Sequence, residues 1–306
     1  MLALFATGLG FLGRCLPFVN RPVLAAATML PFLTLTGPIS VLLLGLARCW
    51  VLAGAAGVVT AVAIATQIPL YRADNAVDPG IRLEVMSANL RLGDADAESL
   101  VSLVQDHVEI LALQELTPCE LERLSAAGLD TLLPHRLIDR RRPSPYGIGL
   151  WSRYPLLLPP EVRGKQLPFL AATIQVPAVK TSPVIVVAHL ANPWHIRRWS
   201  GDIQMLATML REVDQLTDGA AVVAGDMNST LDMRPFRNLL RGGYRDAAEQ
   251  AGVGFRPTFP AGTVIPPLFA IDHVLTLRCR AVATHTVSLP GSDHRAIRAT
   301  IVIPDG

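Results

Sequence analysis

Apolar and polar positions follow two different patterns along this chain, and the change falls near residue 71. Before it, uncharged runs dominate: 26 residues between Arg21 and Arg48, then 23 between Arg48 and Arg72. Each exceeds the roughly 20 residues that a helix needs to span a bilayer. Pro31 and Pro38 interrupt the first run, which a membrane helix tolerates better than a soluble one. Leu2 to Phe18 is apolar too, but Arg14 and Pro17 break it. A signal peptide would explain that segment alone and not the two runs behind it. The pattern predicts a multi-pass anchor of two or three transmembrane helices over residues 1–71, then a linker over 72–80 with a Pro-Gly turn.

From residue 81 the periodicity becomes that of a mixed α/β domain reaching 306. Ile81 to Met86 alternates as a half-exposed strand should, whereas Ile110 to Glu115 and Ala221 to Asp226 are short apolar runs, as in buried strands. Gly147 to Ser152, Phe169 to Val176 and Val184 to Leu190 read as further strands. So do Ala270 to Leu275, Ala281 to Val287 and Ala296 to Ile303. Helical spacing follows Asp94, where Leu100, Val101, Leu103, Val104 and Val108 share a face, and it recurs from Ile196 to Leu216. Pro235 to Leu240 and Arg245 to Ala251 read as short helices, and Phe255 to Phe269 as a proline-rich loop. Several strand pairs have no helix between them, which excludes a purely parallel doubly wound sheet. Two mixed sheets packed face to face, with helices outside, fit the order.

Charge sharpens this division. Residues 1–71 hold no acidic residue and three arginines. Removing those three from the 27 basic residues leaves 24 against 25 acidic ones, a net charge of −1 for the remainder. That part lacks the overall basic footprint of a dedicated nucleic-acid binder. The missing acids also argue against an ion or proton path through the apolar third. The arginines do not settle orientation by the positive-inside rule: two spans leave the domain on the side of Arg14 and Arg21, three place it opposite the amino terminus. The four cysteines show no metal-binding spacing, and a Cys119–Cys279 bridge would require an oxidising compartment.

Candidate chemistry gathers where apolar strands end. Asn89, Glu115, His189, Asp226, Asn228 and Asp272 lie at or next to such ends, and Asp293 with His294 precedes the last strand. Residues two apart in an extended chain point the same way, so Asp226 and Asn228 would leave their strand on one side. Each residue alone also reads as a turn, a cap or a surface acid. Together, oxygen ligands suit Mg²⁺ or Mn²⁺, and an imidazole oriented by a carboxylate suits acid–base work near neutral pH.

At this point the chain resembles the endonuclease/exonuclease/phosphatase superfamily with the DNase I-like fold. The matching pieces are Ser-Ala-Asn89, Leu-Gln-Glu115, Tyr146-Gly-Ile-Gly-Leu-Trp-Ser152, Ala-His189-Leu, Gly-Asp226-Met-Asn228, Ile-Asp272-His-Val-Leu and Ser-Asp293-His294, in the family's order over about residues 82–304. The resemblance implies a four-layered α/β sandwich that hydrolyses phosphoester bonds with a divalent cation. It implies Glu115, Asn89 and Asp293 as the metal set and Asp226 as the residue that orients or deprotonates the attacking water. It further implies Asn228 as a phosphate contact, Asp272 and His294 as a carboxylate–imidazole pair, and His189 as a phosphate or leaving-group contact. Alanine precedes Asn89 where many members carry an aromatic, and His273 follows Asp272 where some carry tyrosine. Neither change removes a ligand. The anchor is similar to an arrangement among bacterial members, which implies an extracytoplasmic domain. The expected activity is that of a membrane-anchored phosphoesterase, its substrate either a lipid headgroup or a nucleic acid and no protein partner evident. A non-catalytic membrane scaffold on the same fold is the alternative from another class.

Overall fold

The computed structural model describes residues 2–74, 79–139, 147–157 and 169–304. Tyr146, the Arg140-Arg141-Arg142 run and residues 75–78 of the expected linker lie outside the described residues. Among the described residues, twelve strands form two six-stranded sheets. The first holds β1 (Gly80–Asn89), β2 (Ile110–Leu116), β3 (His135–Ile138), β4 (Gly147–Ser152), β11 (Arg280–Ser288) and β12 (Arg295–Pro304), in the order β11-β12-β1-β2-β4-β3. The second holds β5 (Leu156–Leu157), β6 (Phe169–Ile174), β7 (Val184–His189), β8 (Ala221–Asp226), β9 (Arg245–Asp246) and β10 (Asp272–Leu277), in the order β5-β6-β7-β8-β10-β9. Each sheet is mixed: β1 runs parallel to β2 and β7 to β8, while the other pairings are antiparallel.

Strand alternation builds the layers. Leu83 and Val85 of β1, Ile185 and Val187 of β7, and Val222 and Ala224 of β8 point into one core between the sheets. The neighbouring positions, Val186, Ala188, Ala221 and Val223, face the long helix α9 (Ile196–Leu216), where Trp199, Ile203, Leu206 and Leu210 meet them. On the other outer face, Met86, Ala88, Leu111 and Leu113 pack under α6 (Ala97–Gln105), α7 (Pro118–Ala126) and α8 (Leu129–Leu132). Local chemistry fixes the helix starts. The side chain of Asp96 accepts from Ser99 N at α6, and that of Thr117 from Glu120 N ahead of Pro118 at α7, each satisfying a donor that the first turn leaves free. Two mixed sheets flanked by helices match the expected sandwich. The cysteines are free, so Cys119 and Cys279 form no bridge.

The first 71 residues depart from expectation. The described part forms five α-helices, α1 (Leu2–Cys15), α2 (Arg21–Thr28), α3 (Leu30–Thr34), α4 (Thr36–Leu46) and α5 (Trp50–Ala65), followed by a 3₁₀ turn at Ile68–Tyr71. No single helix among the described residues is long and apolar enough to cross a membrane, so the expected two or three transmembrane helices are not found. The first uncharged run bends by 58° between Arg21–Thr28 and Leu30–Leu46. Pro31 stands at the start of α3, and a proline ring there blocks continuation from the preceding turn. The second run is helical for 16 residues, Trp50–Ala65, about 24 Å against a hydrocarbon core of about 30 Å.

These helices are not held off on a tether. Leu24 belongs to the core cluster under α9, Phe32 meets Phe255 edge-on, and Gly254 N donates to Leu70 O. The described part of the expected linker docks as well. Asp74 N donates to Gln250 O, its carboxylate pairs with Arg245, and Arg280 donates to its carbonyl.

Candidate active site

Interior strands of both sheets release polar side chains at one end of the sandwich. Strand β8 ends at Asp226, beside His189 of β7 and opposite Asp272 of β10 in register. Gly225, one residue earlier, lies so close to β7 that a Cβ there would stand 1.8 Å from Ala188 O. The β7–β8 approach that brings His189 to Asp226 therefore admits no side chain at position 225.

Asp226 is 1% exposed and heavily engaged. Its Oδ1 accepts from Asn228 N at 2.8 Å; its Oδ2 accepts from Asn89 Nδ2 at 3.0 Å and Asn228 Nδ2 at 3.2 Å. Asn89 sits on the other sheet, so this bond ties the two sheets together at the site. Asn228 reaches this position with φ of +44°, and its Nδ2 also donates to Leu190 O. Asn tolerates that backbone region better than most residues. Burial pushes the Asp226 carboxyl up, with Asp272 adding to the rise, against the His294 and His189 charges.

His294 is fixed from both sides. Its Nδ1 lies 2.8 Å from Asp272 Oδ2 and its Nε2 faces Asp226 Oδ2 at 3.8 Å. Burial opposes a charge on this ring, but Asp272 and then Asp226 outweigh it and raise its pKa to about 10. Phe259 covers the ring, with centroids 5.0 Å apart. His189 Nε2 stands 3.8 Å from Asp226 and 3.7 Å from Glu115. Glu115 takes a positive φ of +56° and accepts from Leu92 N at 2.8 Å. Burial raises its carboxyl, opposed by hydrogen bonds from Asn89 and Leu92. Asp293 is half-buried on the wall of the same cavity.

All eight expected residues thus meet in one place, but the grouping differs from the expected metal set. The donor atoms of Asp226, Asp272 and His294 lie within 4.8 Å of one another, and these three were expected to be catalytic. Asp226 and Asp272 pair across β8 and β10, and His294, just ahead of β12 on the facing sheet, reaches both of them. The oxygen donors of Glu115 and Asp293 on the cavity wall suit a hard divalent cation, while the His294 ring already faces both buried carboxylates, Asp272 and Asp226.

Several positioning residues carry no expectation from the sequence. Ser292 Oγ donates to Asn89 O at 2.7 Å and accepts from His294 N at 3.0 Å, so one hydroxyl fixes two site residues on adjacent strands. Its place two residues before His294 is the signal, a serine turn preceding a strand. His273 bridges Asp246 Oδ2 (2.7 Å) and Ser229 O (2.9 Å) beneath the site, which holds the loop after Asp226. Thr258 braces Asp272 N. These last contacts cross from 14 to 44 residues, and local patterning does not register them.

Residues 86–294 match the Endonuclease/Exonuclease/phosphatase family. No curated protein sequence matches the chain. Among solved structures, D. rerio TDP2 complexed with single strand DNA product superposes with a TM-score of 0.56 at 18% identity, covering 72% of this chain and 98% of that one. An endonuclease/exonuclease/phosphatase from Bacteroides vulgatus gives 0.56 at 16%, covering 73% and 99%. A conserved protein of unknown function from Enterococcus faecalis gives 0.57 at 14%, covering 72% and 100%. At these identities the likeness shows the fold. With the family match over two thirds of its length, the chain belongs to the endonuclease/exonuclease/phosphatase family.

Proposed function

We propose that this protein hydrolyses phosphoester bonds with a divalent cation, Mg²⁺ or Mn²⁺, and that its apolar helical layer keeps the site at a membrane surface. The observation that carries the chemistry is the line Asp272–His294–Asp226, held by amides from both sheets. Both oxygens of Asp226 are taken by Asn89 and Asn228, which orients the carboxylate to position a water and receive its proton. Asp272 fixes His294 in one orientation, leaving Nε2 to hydrogen-bond a phosphate oxygen as charge builds there. His189, on the other side of Asp226, contacts the phosphate or the leaving oxygen. Glu115 holds the cation, with Asn89 beside it and Asp293 as a further ligand. When bound, the cation neutralises phosphate oxygens and acidifies water.

The membrane reading is supported by exposure. Most of the large apolar side chains left in the open belong to the five N-terminal helices, Leu46 at 73% and Val51 at 86% among them. So many exposed apolar side chains on one set of helices support contact with another apolar phase. The substrate is then a phosphoester at that surface. A nuclease reading draws on the relative whose structure contains a DNA product and on Arg198, which lines the cavity. The net charge of −1 over residues 72–306 weighs against it. A non-catalytic scaffold would have no physical need for buried carboxylates at strand ends.

The test is the full chain with Mg²⁺ or Mn²⁺ against bis(4-nitrophenyl) phosphate, 4-nitrophenyl phosphate, phospholipid vesicles and single-stranded oligonucleotide. Metal-dependent, chelator-sensitive hydrolysis of a diester is expected. Activity that survives chelation overturns the metal reading, and failure of the chain to float with vesicles overturns the membrane reading.

A further inference from the structure

The cavity at the site measures about 580 Å³, within the ~300–1,000 Å³ range of sites that enclose whole small molecules and far more than one phosphate fills. Its lining includes the catalytic group, Glu115, His189, Asp226 and His294, and apolar side chains that come from two places. Met233, Phe269 and Ile271 belong to the sandwich, whereas Leu24, Ala25 and Met29 come from α2 and its cap, outside the family match of 86–294. Helix α2 is a built wall rather than a loose neighbour. Asn20 caps it, and Arg21 donates to Trp194 O at 3.2 and 2.9 Å with its guanidinium 5.8 Å over the Trp194 ring. Leu24 is buried in the sandwich core. Behind α2, Gly13 of α1 approaches until a Cβ would stand 2.7 Å from Ala27 N. Asp232, just after the catalytic strand, pairs with Arg14 and accepts from Gln67.

We propose that α2 is part of the substrate site and makes it selective for phosphodiesters that carry an apolar group. The phosphate meets Asp226 and His294 while the alkyl or acyl portion lies between Ala25 and Met29 on one side and Phe269 and Ile271 on the other. The proposal rests on the phosphoesterase reading and adds the substrate class. An apolar wall offers a polyanion nothing, whereas it rewards each buried methylene by about fourfold in binding. Arg21 and Arg198, which also line the cavity, leave cationic groups for a phosphate oxygen.

The experiment uses the full chain, Mn²⁺ and a homologous series of methyl, propyl and hexyl 4-nitrophenyl phosphate. In the wild type kcat/KM should climb with chain length, by up to about fourfold per methylene, until the slot is filled. Ala25→Glu and Met29→Glu should flatten that slope, and Met29→Leu should keep it. A flat series in the wild type, or a slope equally steep in both glutamate variants, overturns the proposal. So does single-stranded oligonucleotide cleavage that outpaces the hexyl ester and ignores Met29→Glu. The two readings fail differently. Hydrolysis of the methyl ester without a slope removes only the role of α2, whereas no metal-dependent hydrolysis of any ester removes the phosphoesterase reading with it.

Discussion

In the sandwich Val186, Val223 and Ile301 are wholly buried, while in the helical layer Leu35 and Trp50 remain 70% exposed. Both regions are rich in apolar residues, so composition does not separate them. The sandwich has period-two strands whose two faces each find a partner layer. The helices have apolar residues around most of their circumference and only one side to dock. The first region buries its apolar side chains; the second leaves many of them exposed. They nevertheless meet along α2, which is half core and half cavity wall.

The comparison can be broken most forcefully from the catalytic side. Asp226→Asn should lower kcat/KM by about 10²–10⁴-fold and leave vesicle binding as it was; loss of both would mean that the regions are not separable. Glu115→Gln should abolish metal-dependent turnover without lowering Tm, measured by calorimetry with and without Mn²⁺, and full activity in that variant would remove Glu115 from the metal site. Asp272→Ala and His294→Ala should each cost nearly as much as the double variant. Additive losses would show that the pair does not act as a unit.

Further down, the seam between the regions can be opened. Arg14→Met leaves Asp232 buried at 6% exposure without its ion-pair partner, and removing one partner of such a buried pair costs about 3–5 kcal/mol. Denaturant unfolding should show that loss, with Asp232→Asn in the same background recovering much of it. The smallest effect concerns His273. Burial opposes its charge, but Asp246 outweighs burial and raises its pKa above the usual 6.5. Its contribution to stability is therefore complete below pH about 6.5 and is lost as pH rises through the raised native value. Wild-type protein should lose more stability than His273→Gln between about pH 6 and about pH 9, by urea denaturation.

The strand ends were legible because each is a local event. Ala221 to Asp226 is an apolar run with its acid at the tip, and β8 has those bounds. Ile196 to Leu216 carries its own helical period and forms α9 as expected. What failed to show depends on contacts far apart in the chain. Arg14 meets Asp232 across 218 residues and Arg21 meets Trp194 across 173, so nothing around Arg14 or Arg21 announces that α2 lines the site. The expected transmembrane helices failed for a different reason. Hydropathy counts apolar residues, whereas Pro31 and the turn at Met29 decide where a helix stops.

Gly225 and Asp226 stand next to each other, yet they can be lost independently only in one direction. An aspartate at the strand tip can become asparagine with the backbone undisturbed, whereas any side chain at 225 collides with Ala188 O. The glycine is therefore a marker of inherited architecture and the carboxylate a marker of inherited chemistry. A descendant of this chain that kept position 225 but had exchanged 226, 272 and 294 for uncharged residues would keep the shape without the buried charges. The reverse combination, charges retained around a substituted 225, would require β7 and β8 to move apart at Ala188.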